Sequence, residues 1–124
     1  MMHAQDIKRV VLGGEMRIEQ LVAVARYGAK VEFSKAYCER VNRSRNLVDK
    51  WTGEGRVMYG VNTGFGALCT QLISAEEMRQ LQRNILLSHA VSVGEPLSVE
   101  AVRATMFMIL QNLGLGYSGV RSEE

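Results

Sequence analysis

Residues Ser74–His89, SAEEMRQLQRNILLSH, decide the fold class because they have the pattern of one capped amphipathic helix. Ser74 and Glu77 have the spacing of a capping box, in which each side chain satisfies a free backbone N–H of the first turn. The residues that share one stripe of this helix are Met78, Leu81, Ile85 and His89. The pattern predicts a helix from residue 75 to about Val93, before Gly94-Glu95-Pro96 ends it.

Upstream of this helix lies a glycine-rich run, residues 57–66, with the sequence VMYGVNTGFG. Its first three residues predict a brief extended segment, and Gly60, Gly64 and Gly66 exclude a regular element after it. The run lacks the Lys-Ser/Thr of a P-loop and the last glycine of GxGxxG, so nucleotide binding is not predicted. Tyr59 stands at the edge of this loop. An anchored aromatic ring with a hydrogen-bonded hydroxyl is the commoner role for such a tyrosine, and catalysis is the rarer one.

Downstream, Ser98 predicts the cap of a last helix that runs through Leu113, after which glycines 114, 116 and 119 break the regularity. The run 104–110, ATMFMIL, makes this helix apolar on nearly every side. A helix of that kind must be buried on all its faces, and four helices in so small a chain cannot easily enclose it. We therefore expect another subunit, or further polypeptide, to cover it. The alternative is a central helix in a self-sufficient bundle.

The first half of the chain predicts short extended segments and two more helices. Residues 6–12 have the pattern of an extended segment that ends in a glycine turn, and residues 17–27 that of a helix stopped by Gly28. Val31 and Phe33 then alternate with polar residues and predict a second extended segment. Ser34 is the predicted N-cap of a helix of about 16 residues, which ends at the turn formed by residues 52–55. The expected fold class is mainly α with short strands, in one domain that covers residues 1–124.

Composition restricts the possible partners. The 124 residues include 15 Lys+Arg and 13 Asp+Glu, a net charge of +2 that is too small to predict binding to nucleic acid or to a membrane. Cys38 and Cys69 belong to no disulfide framework or zinc-binding spacing, so we expect reduced thiols and no metal site. The first residues lack the apolar region of a signal peptide, and no run is long enough to span a membrane, so a cytoplasmic location is expected.

His89 follows Leu81 and Ile85 on an apolar stripe, where a histidine is more often a hydrogen-bonded core residue than a catalytic one. His3 is the only other histidine in the chain. No Ser/His/Asp or Cys/His arrangement can therefore be assembled from the spacing of the residues.

Three blocks in order resemble the aromatic amino acid ammonia-lyases, the family of the histidine and phenylalanine lyases. The first is residues 57–66. The second is residues 81–90, LQRNILLSHA, followed by Gly94-Glu95-Pro96-Leu97. The third runs from Val102-Arg103-Ala104 to residues 116–121, GYSGVR. The part before these blocks, with its short strand and two helices, is similar to the N-terminal start of the family.

The resemblance implies elimination of ammonia from an aromatic L-amino acid, to give an unsaturated acid such as urocanate. It implies that Tyr59 is the base that removes the β-proton, and that His89 and Gly66 contact the substrate. Gly60, Asn62 and Gly64 would form the loop that closes over the substrate. A phenol has a reference pKa near 10, so we expect donors or positive charge to lower the pKa of the base. Ser88-His89 resembles the pair found in histidine lyases, which some tyrosine aminomutases share.

The family's electrophile is methylidene-imidazolone, which forms from an internal Ala-Ser-Gly. This sequence has no Ala-Ser-Gly, and its nearest tripeptide, Tyr117-Ser118-Gly119, matches a different family motif. The cofactor is therefore expected from a partner chain, and this chain alone is predicted to be inactive. The resulting hypothesis is an N-terminal portion or small subunit of a histidine ammonia-lyase, with a lyase chain or a homo-oligomer as partner. The alternatives are a non-catalytic binding or regulatory module derived from a lyase, or an aminomutase subunit.

Overall fold

The computed structural model describes residues 3–122, which form two compact units. Within this range, the first unit contains residues 3–48 and 96–122, and the second contains residues 49–95. The expectation of one domain over residues 1–124 stays a prediction. Of the helices in the described part of the chain, none is long and apolar enough to cross a membrane. Cys38 and Cys69 are free thiols.

The first unit opens with two parallel strands joined by a helix. Strand β1, Arg9–Leu12, pairs with strand β2, Lys30–Phe33, with Val10 opposite Val31. Parallel neighbours need a crossover, which is supplied here by helix α1, Ile18–Tyr27. The helix ends at Gly28, which has φ +71°, and the Ala29 N–H then bonds the Ala23 carbonyl. The helix and the second extended segment are confirmed, and the first is confirmed over Arg9–Leu12. Asp6, predicted as its first residue, lies instead in a one-turn 3-10 helix, Ala4–Asp6. The parallel pairing of the two strands was not predicted.

Helix α2, Lys35–Gly53, begins where Ser34 was predicted to cap it, since the Ser34 hydroxyl accepts the Tyr37 N–H at 3.1 Å. Its residues 35–48 lie in the first unit and residues 49–53 in the second. At 19 residues it is slightly longer than predicted. Its buried residues are Tyr37 and Val41, four positions apart on one face, which is the spacing of an amphipathic helix.

Helix α4, Val99–Leu113, closes the first unit and has the predicted bounds, with the Ser98 hydroxyl accepting the Ala101 N–H. Phe107 is its buried residue and lies in the core of the unit, whose other members are Val10, Leu12, Ala23, Val24, Ala29, Tyr37 and Val41. The remaining faces of α4 are not enclosed by the described residues, because Met106 and Ile109 are 60% and 52% exposed. Its cover by a further polypeptide stays a prediction.

The second unit contains the end of α2, the glycine-rich loop and helix α3, Ala75–His89. The predicted capping box is confirmed: the Ser74 hydroxyl accepts the Glu77 N–H, and the Glu77 carboxylate accepts the Ser74 N–H. A one-turn 3-10 helix, Gly66–Leu68, follows the glycine run. Thr63 and Leu72 form an isolated antiparallel bridge, which joins the two ends of the loop.

Two local predictions for this unit were wrong. Val57–Tyr59 is not a strand, because the Met58 carbonyl accepts the Val61 and Asn62 N–H groups and so folds the chain into a turn. Helix α3 ends at His89 rather than near Val93. The side chains of Ser88 and His89 both contact the Ile85 carbonyl, and the Val91 N–H bonds the His89 carbonyl instead of continuing the helical ladder.

Candidate functional site

The turn that carries Tyr59 is held by the side chain of Asn62. Its Oδ1 accepts the Met58 N–H at 2.8 Å, and its Nδ2 donates to the Arg56 carbonyl at 2.8 Å. Asn62 is 4% exposed, so these two bonds replace water for a buried amide group. Its backbone carbonyl also accepts the Ile73 N–H, which ties the loop to the segment before α3. Asn62, predicted as a loop residue, therefore positions the backbone on the N-terminal side of Tyr59.

Thr63 has the matching role on the C-terminal side. Its Oγ1 accepts the Gly60 N–H at 3.2 Å and donates to the Gly64 carbonyl at 3.0 Å. The side chain is completely buried. On the same turn, Gln82 of α3 donates its amide N–H to the Gly60 carbonyl at 3.4 Å. Tyr59 is thus flanked by residues whose backbone groups are engaged by side chains, and this restricts the path of the loop.

Tyr59 itself is 65% exposed, and its ring lies edge-on to Phe65 with 5.6 Å between ring centroids. Among residues 3–122, no group forms a hydrogen bond with its hydroxyl. Gly60 permits this arrangement: it has φ +71°, and a Cβ at this position would lie 3.1 Å from Phe65 Cε1. The alternative role, a tyrosine anchored through a hydrogen-bonded hydroxyl, is therefore not observed for Tyr59 among the described residues.

A cavity of about 440 Å³ lies between the loop and α3. The residues that line it are Gly64, Phe65, Gln71, Ile73, Leu81, Ile85, Ser88 and His89. Two predicted site residues, Gly64 and His89, are therefore brought together at one cavity. Tyr59, Gly60, Asn62 and Gly66 do not line it; Tyr59 reaches its edge through the contact with Phe65.

Most of the residues that line the cavity are apolar. Its polar end is formed by Ser88 and His89, which are adjacent in α3. His89 Nδ1 lies 2.8 Å from the Ile85 carbonyl oxygen and 3.0 Å from Ser88 Oγ. Leu81, Ile85 and His89, which the sequence placed on one stripe, do share one wall. Phe65, Gln71 and Ile73 were not predicted as site residues. The Thr63–Leu72 bridge brings Gln71 and Ile73 back beside the start of the loop. No pattern in the local sequence predicts this pairing.

Comparison with known proteins decides the family. Residues 16–124 match the family model described as aromatic amino acid lyase. The chain belongs to the aromatic amino acid lyase family. The resemblance noted from three sequence blocks is thereby confirmed, and so is the mainly α fold class, since the structural neighbours of this chain share that architecture.

Relatives of this chain include histidine ammonia-lyases, and solved structures of the family share its fold. A histidine ammonia-lyase of Symbiobacterium thermophilum is 44% identical over 117 residues, 94% of this chain and 23% of the relative. The ergothionase of Treponema denticola, solved with desmethyl-ergothioneine sulfonic acid, matches 93% of this chain and 23% of that one, with TM-score 0.88 and 28% identity.

Two further structures have similar scores. The histidine ammonia-lyase of Trypanosoma cruzi has TM-score 0.82 and 33% identity over 93% of this chain and 22% of that one. The phenylalanine aminomutase of Pantoea agglomerans has TM-score 0.82 and 28% identity over 91% and 22%. The chain therefore spans less than a quarter of the length of these relatives.

The residues of this chain do not fit formation of methylidene-imidazolone. The nearest tripeptide begins with Tyr117 in place of alanine. The Gly119 N–H donates to the Ser44 hydroxyl at 2.9 Å, and the Gly119 carbonyl accepts a bond from Arg45 at 3.3 Å. Both backbone groups of that glycine are thus engaged by α2 in a structural contact.

Proposed function

We propose that this chain supplies Tyr59 and His89 to the active site of an aromatic amino acid ammonia-lyase, with histidine as substrate. The remaining active-site residues lie outside the 124 residues, in another lyase chain or in further polypeptide. The observation that carries the proposal is the exposed Tyr59 hydroxyl, without a partner among the described residues, on a turn that two buried side chains hold in place. A structural tyrosine does not need that arrangement, whereas a base that must reach a substrate does.

In the proposed reaction the Tyr59 oxygen, acting as the base, accepts a proton from the β-carbon of the amino acid. The electron pair of the broken C–H bond forms the Cα–Cβ double bond, and the protonated α-amino group leaves as ammonia with the electron pair of the C–N bond. The β-proton is barely acidic, so the base must be held against it. The bonds of Asn62 to Met58 and Arg56 supply that positioning. The cavity beside the loop accepts the substrate ring, with Phe65 and Ile85 as apolar walls and His89 as a polar contact. Gly66 stays a predicted substrate contact, and Gly60 and Gly64 stay predicted loop residues.

Complementation tests this proposal. The chain is combined with a truncated Symbiobacterium thermophilum histidine ammonia-lyase that lacks the matching segment, and formation of urocanate from L-histidine is measured. We expect activity only with both polypeptides present. Tyr59→Phe removes the base and lowers kcat by about a hundredfold or more. Tyr27→Phe is the matched control, because this half-exposed tyrosine lies in α1 outside the three family blocks.

Two results would contradict the proposal. Undiminished activity of the Tyr59→Phe assembly would exclude the tyrosine as the base. Absence of activity with every lyase partner, from a chain that binds those partners, would favour the non-catalytic regulatory module. Equilibrium sedimentation in the same experiment tests association through α4 with a lyase chain or a second copy, and a monomer in every mixture would contradict it. Fractionation of the source cells tests the proposed cytoplasmic location.

The structural likeness to a phenylalanine aminomutase supports a second candidate, an aminomutase subunit. A lyase and an aminomutase differ in product, because the second returns the amino group to the carbon skeleton. Chromatography of the reaction mixture separates the two candidates. A β-amino acid in place of urocanate and ammonia would assign the chain to the aminomutases.

A further inference from the structure

Helix α2 ends in a Schellman motif, a turn that closes a helix with two backbone hydrogen bonds. The Gly55 N–H bonds the Thr52 carbonyl at 3.1 Å. The Arg56 N–H bonds the Trp51 carbonyl at 2.9 Å. Gly55 has φ +70°, the left-handed conformation that this motif places just after the helix. The motif therefore fixes the point at which the backbone leaves α2 and continues towards the glycine-rich loop.

The two outer residues of this motif also meet through their side chains. The Arg56 guanidinium carbon lies 4.5 Å from the centre of the Trp51 ring, within the range of a cation–π contact. A Schellman motif is frequently accompanied by an apolar contact near these positions, and here a charged group on an aromatic face takes its place. Trp51 therefore engages Arg56 through the backbone and through the side chain.

The carbonyl of Arg56 connects this turn to the proposed base. It accepts the Asn62 Nδ2 at 2.8 Å. The Oδ1 of the same buried amide accepts the Met58 N–H, one residue before Tyr59. Because the two bonds leave opposite ends of one rigid amide, a displacement of the Arg56 carbonyl also displaces the amide that holds Met58. All these residues lie in the second unit.

We infer that Arg56 is a positioning residue for Tyr59 and that it acts through Asn62. Its contact with the Trp51 ring holds the carbonyl to which Asn62 bonds, and so ties the loop to the end of α2. The inference rests on the proposed function for the role of the tyrosine as base. It extends that function to two residues that do not line the cavity and that lie outside the three family blocks.

Hydrogen exchange at the Met58 amide of the full 124-residue chain tests this link without catalysis. Arg56→Ala keeps the backbone contacts of residue 56 and removes the guanidinium. Trp51→Leu keeps an apolar side chain and removes the ring face. We expect each variant to accelerate exchange about two- to fivefold, the effect of one exposed cation–π contact. The double variant should equal a single one, since both changes remove the same contact. Unchanged exchange, or effects that multiply, would overturn the inference.

Two further variants separate the ring contact from a general loss of charge. Arg56→Lys keeps a positive charge that can face the ring, so it should restore part of the protection lost in Arg56→Ala. Arg79→Ala, at an exposed arginine of α3, is the matched control and should leave exchange unchanged. Exchange in Arg56→Lys as fast as in Arg56→Ala would overturn the inference.

Fluorescence reports on the same contact, because Trp51 is the only tryptophan in the chain. We expect its emission to shift to longer wavelength in Arg56→Ala, as water replaces the guanidinium over the ring. The emission of Arg79→Ala should stay at the wild-type wavelength. An emission maximum that does not move in folded Arg56→Ala would contradict the stacking on which the inference depends.

The complemented assembly tests the consequence for catalysis. We expect Arg56→Ala to lower kcat about two- to fivefold with the KM for L-histidine unchanged, because the contact acts on the base and not on the substrate. The kinetic isotope effect with β-deuterated L-histidine should increase, since proton removal becomes slower relative to the other steps. A lower kcat with an unchanged isotope effect would mean only that less of the assembly is folded, and would overturn the positioning role. The exchange measurements need no turnover, so the expected exchange without urocanate formation would contradict the proposed function alone.

Discussion

The side chain of Asn62 accepts the backbone N–H of Met58 at 2.8 Å, one residue before the tyrosine proposed as the base. The amide that makes this contact is buried and also donates to Arg56. The buried side chain of Asn62 therefore fixes the backbone next to Tyr59, whose own side chain is exposed. This relationship explains how a glycine-rich segment keeps Tyr59 in a defined position without a helix or a strand.

Asn62→Ala is expected to loosen this turn. It leaves the Met58 N–H and the Arg56 carbonyl without a partner, at a cost of about 1–3 kcal/mol for each group that stays buried. Hydrogen exchange at the Met58 amide should accelerate, and urocanate formation in the complemented assembly should fall through kcat. Asn84→Ala, on the exposed face of α3, is the control. Unchanged exchange at Met58 would contradict the assigned role of Asn62.

Gly60→Ala is expected to destabilise the second unit. The position has φ +71°, where an L-residue costs about 1–2 kcal/mol, and the added Cβ would press on Phe65. Urea unfolding measures the loss. Gly53→Ala offers a comparison at the end of α2, where a Cβ meets no atom within 4 Å and φ is not positive. That substitution should stabilise the helix by up to about 1 kcal/mol, so equal effects of the two would refute the argument.

The stability of the chain should decrease above about pH 10 because of Tyr37. Burial raises the pKa of this phenol, whose hydroxyl donates to the Leu110 carbonyl at 2.7 Å. The unfolded chain, with the lower pKa, loses the proton first as pH rises, so stability is full below about pH 10 and falls as pH approaches the folded-state pKa. Tyr37→Phe should flatten this part of the unfolding curve. Tyr117→Phe, at a tyrosine 89% exposed, should keep it.

Phe107→Ala is expected to cost about 3–5 kcal/mol, because this ring is 2% exposed in the core of the first unit. The neighbouring Met106→Ala should change the free energy of unfolding by no more than about 0.5 kcal/mol, since that side chain is 60% exposed. Thermal unfolding of the two variants measures the difference. If α4 is covered by a lyase partner as proposed, Met106→Ala should instead weaken association in sedimentation experiments.

Short sequence patterns predict those features of the fold that depend on residues close together along the chain. The capping serines 34, 74 and 98 and the stop at Gly28 were predicted and confirmed, because each acts within one turn of a helix. The end of α3 differs from the prediction, since the helix stops at His89, well before Pro96. The side chains of Ser88 and His89 both contact the Ile85 carbonyl at this end, and the helical ladder does not continue.

The candidate site could be predicted only in part. Tyr59 and His89 were named through three ordered blocks of family resemblance, and the roles given to them stay predictions. The cavity walls at Phe65, Gln71 and Ile73 were not foreseen, because they come together through the bridge between Thr63 and Leu72. Pairing across a loop depends on how the chain returns, and periodicity along the sequence does not encode that return.

By itself, the sequence determined the helices, their caps and the membership of a lyase family, because these depend on short-range spacing and on the order of the motifs. The tertiary structure alone decided that β1 and β2 pair in parallel, that Asn62 and Thr63 hold the turn at Tyr59, and that His89 joins Gly64 at one cavity. These are contacts between residues whose separation along the chain does not fix their distance in space. These contacts form because polar groups that become buried need hydrogen-bond partners, and only the folded chain brings those partners together.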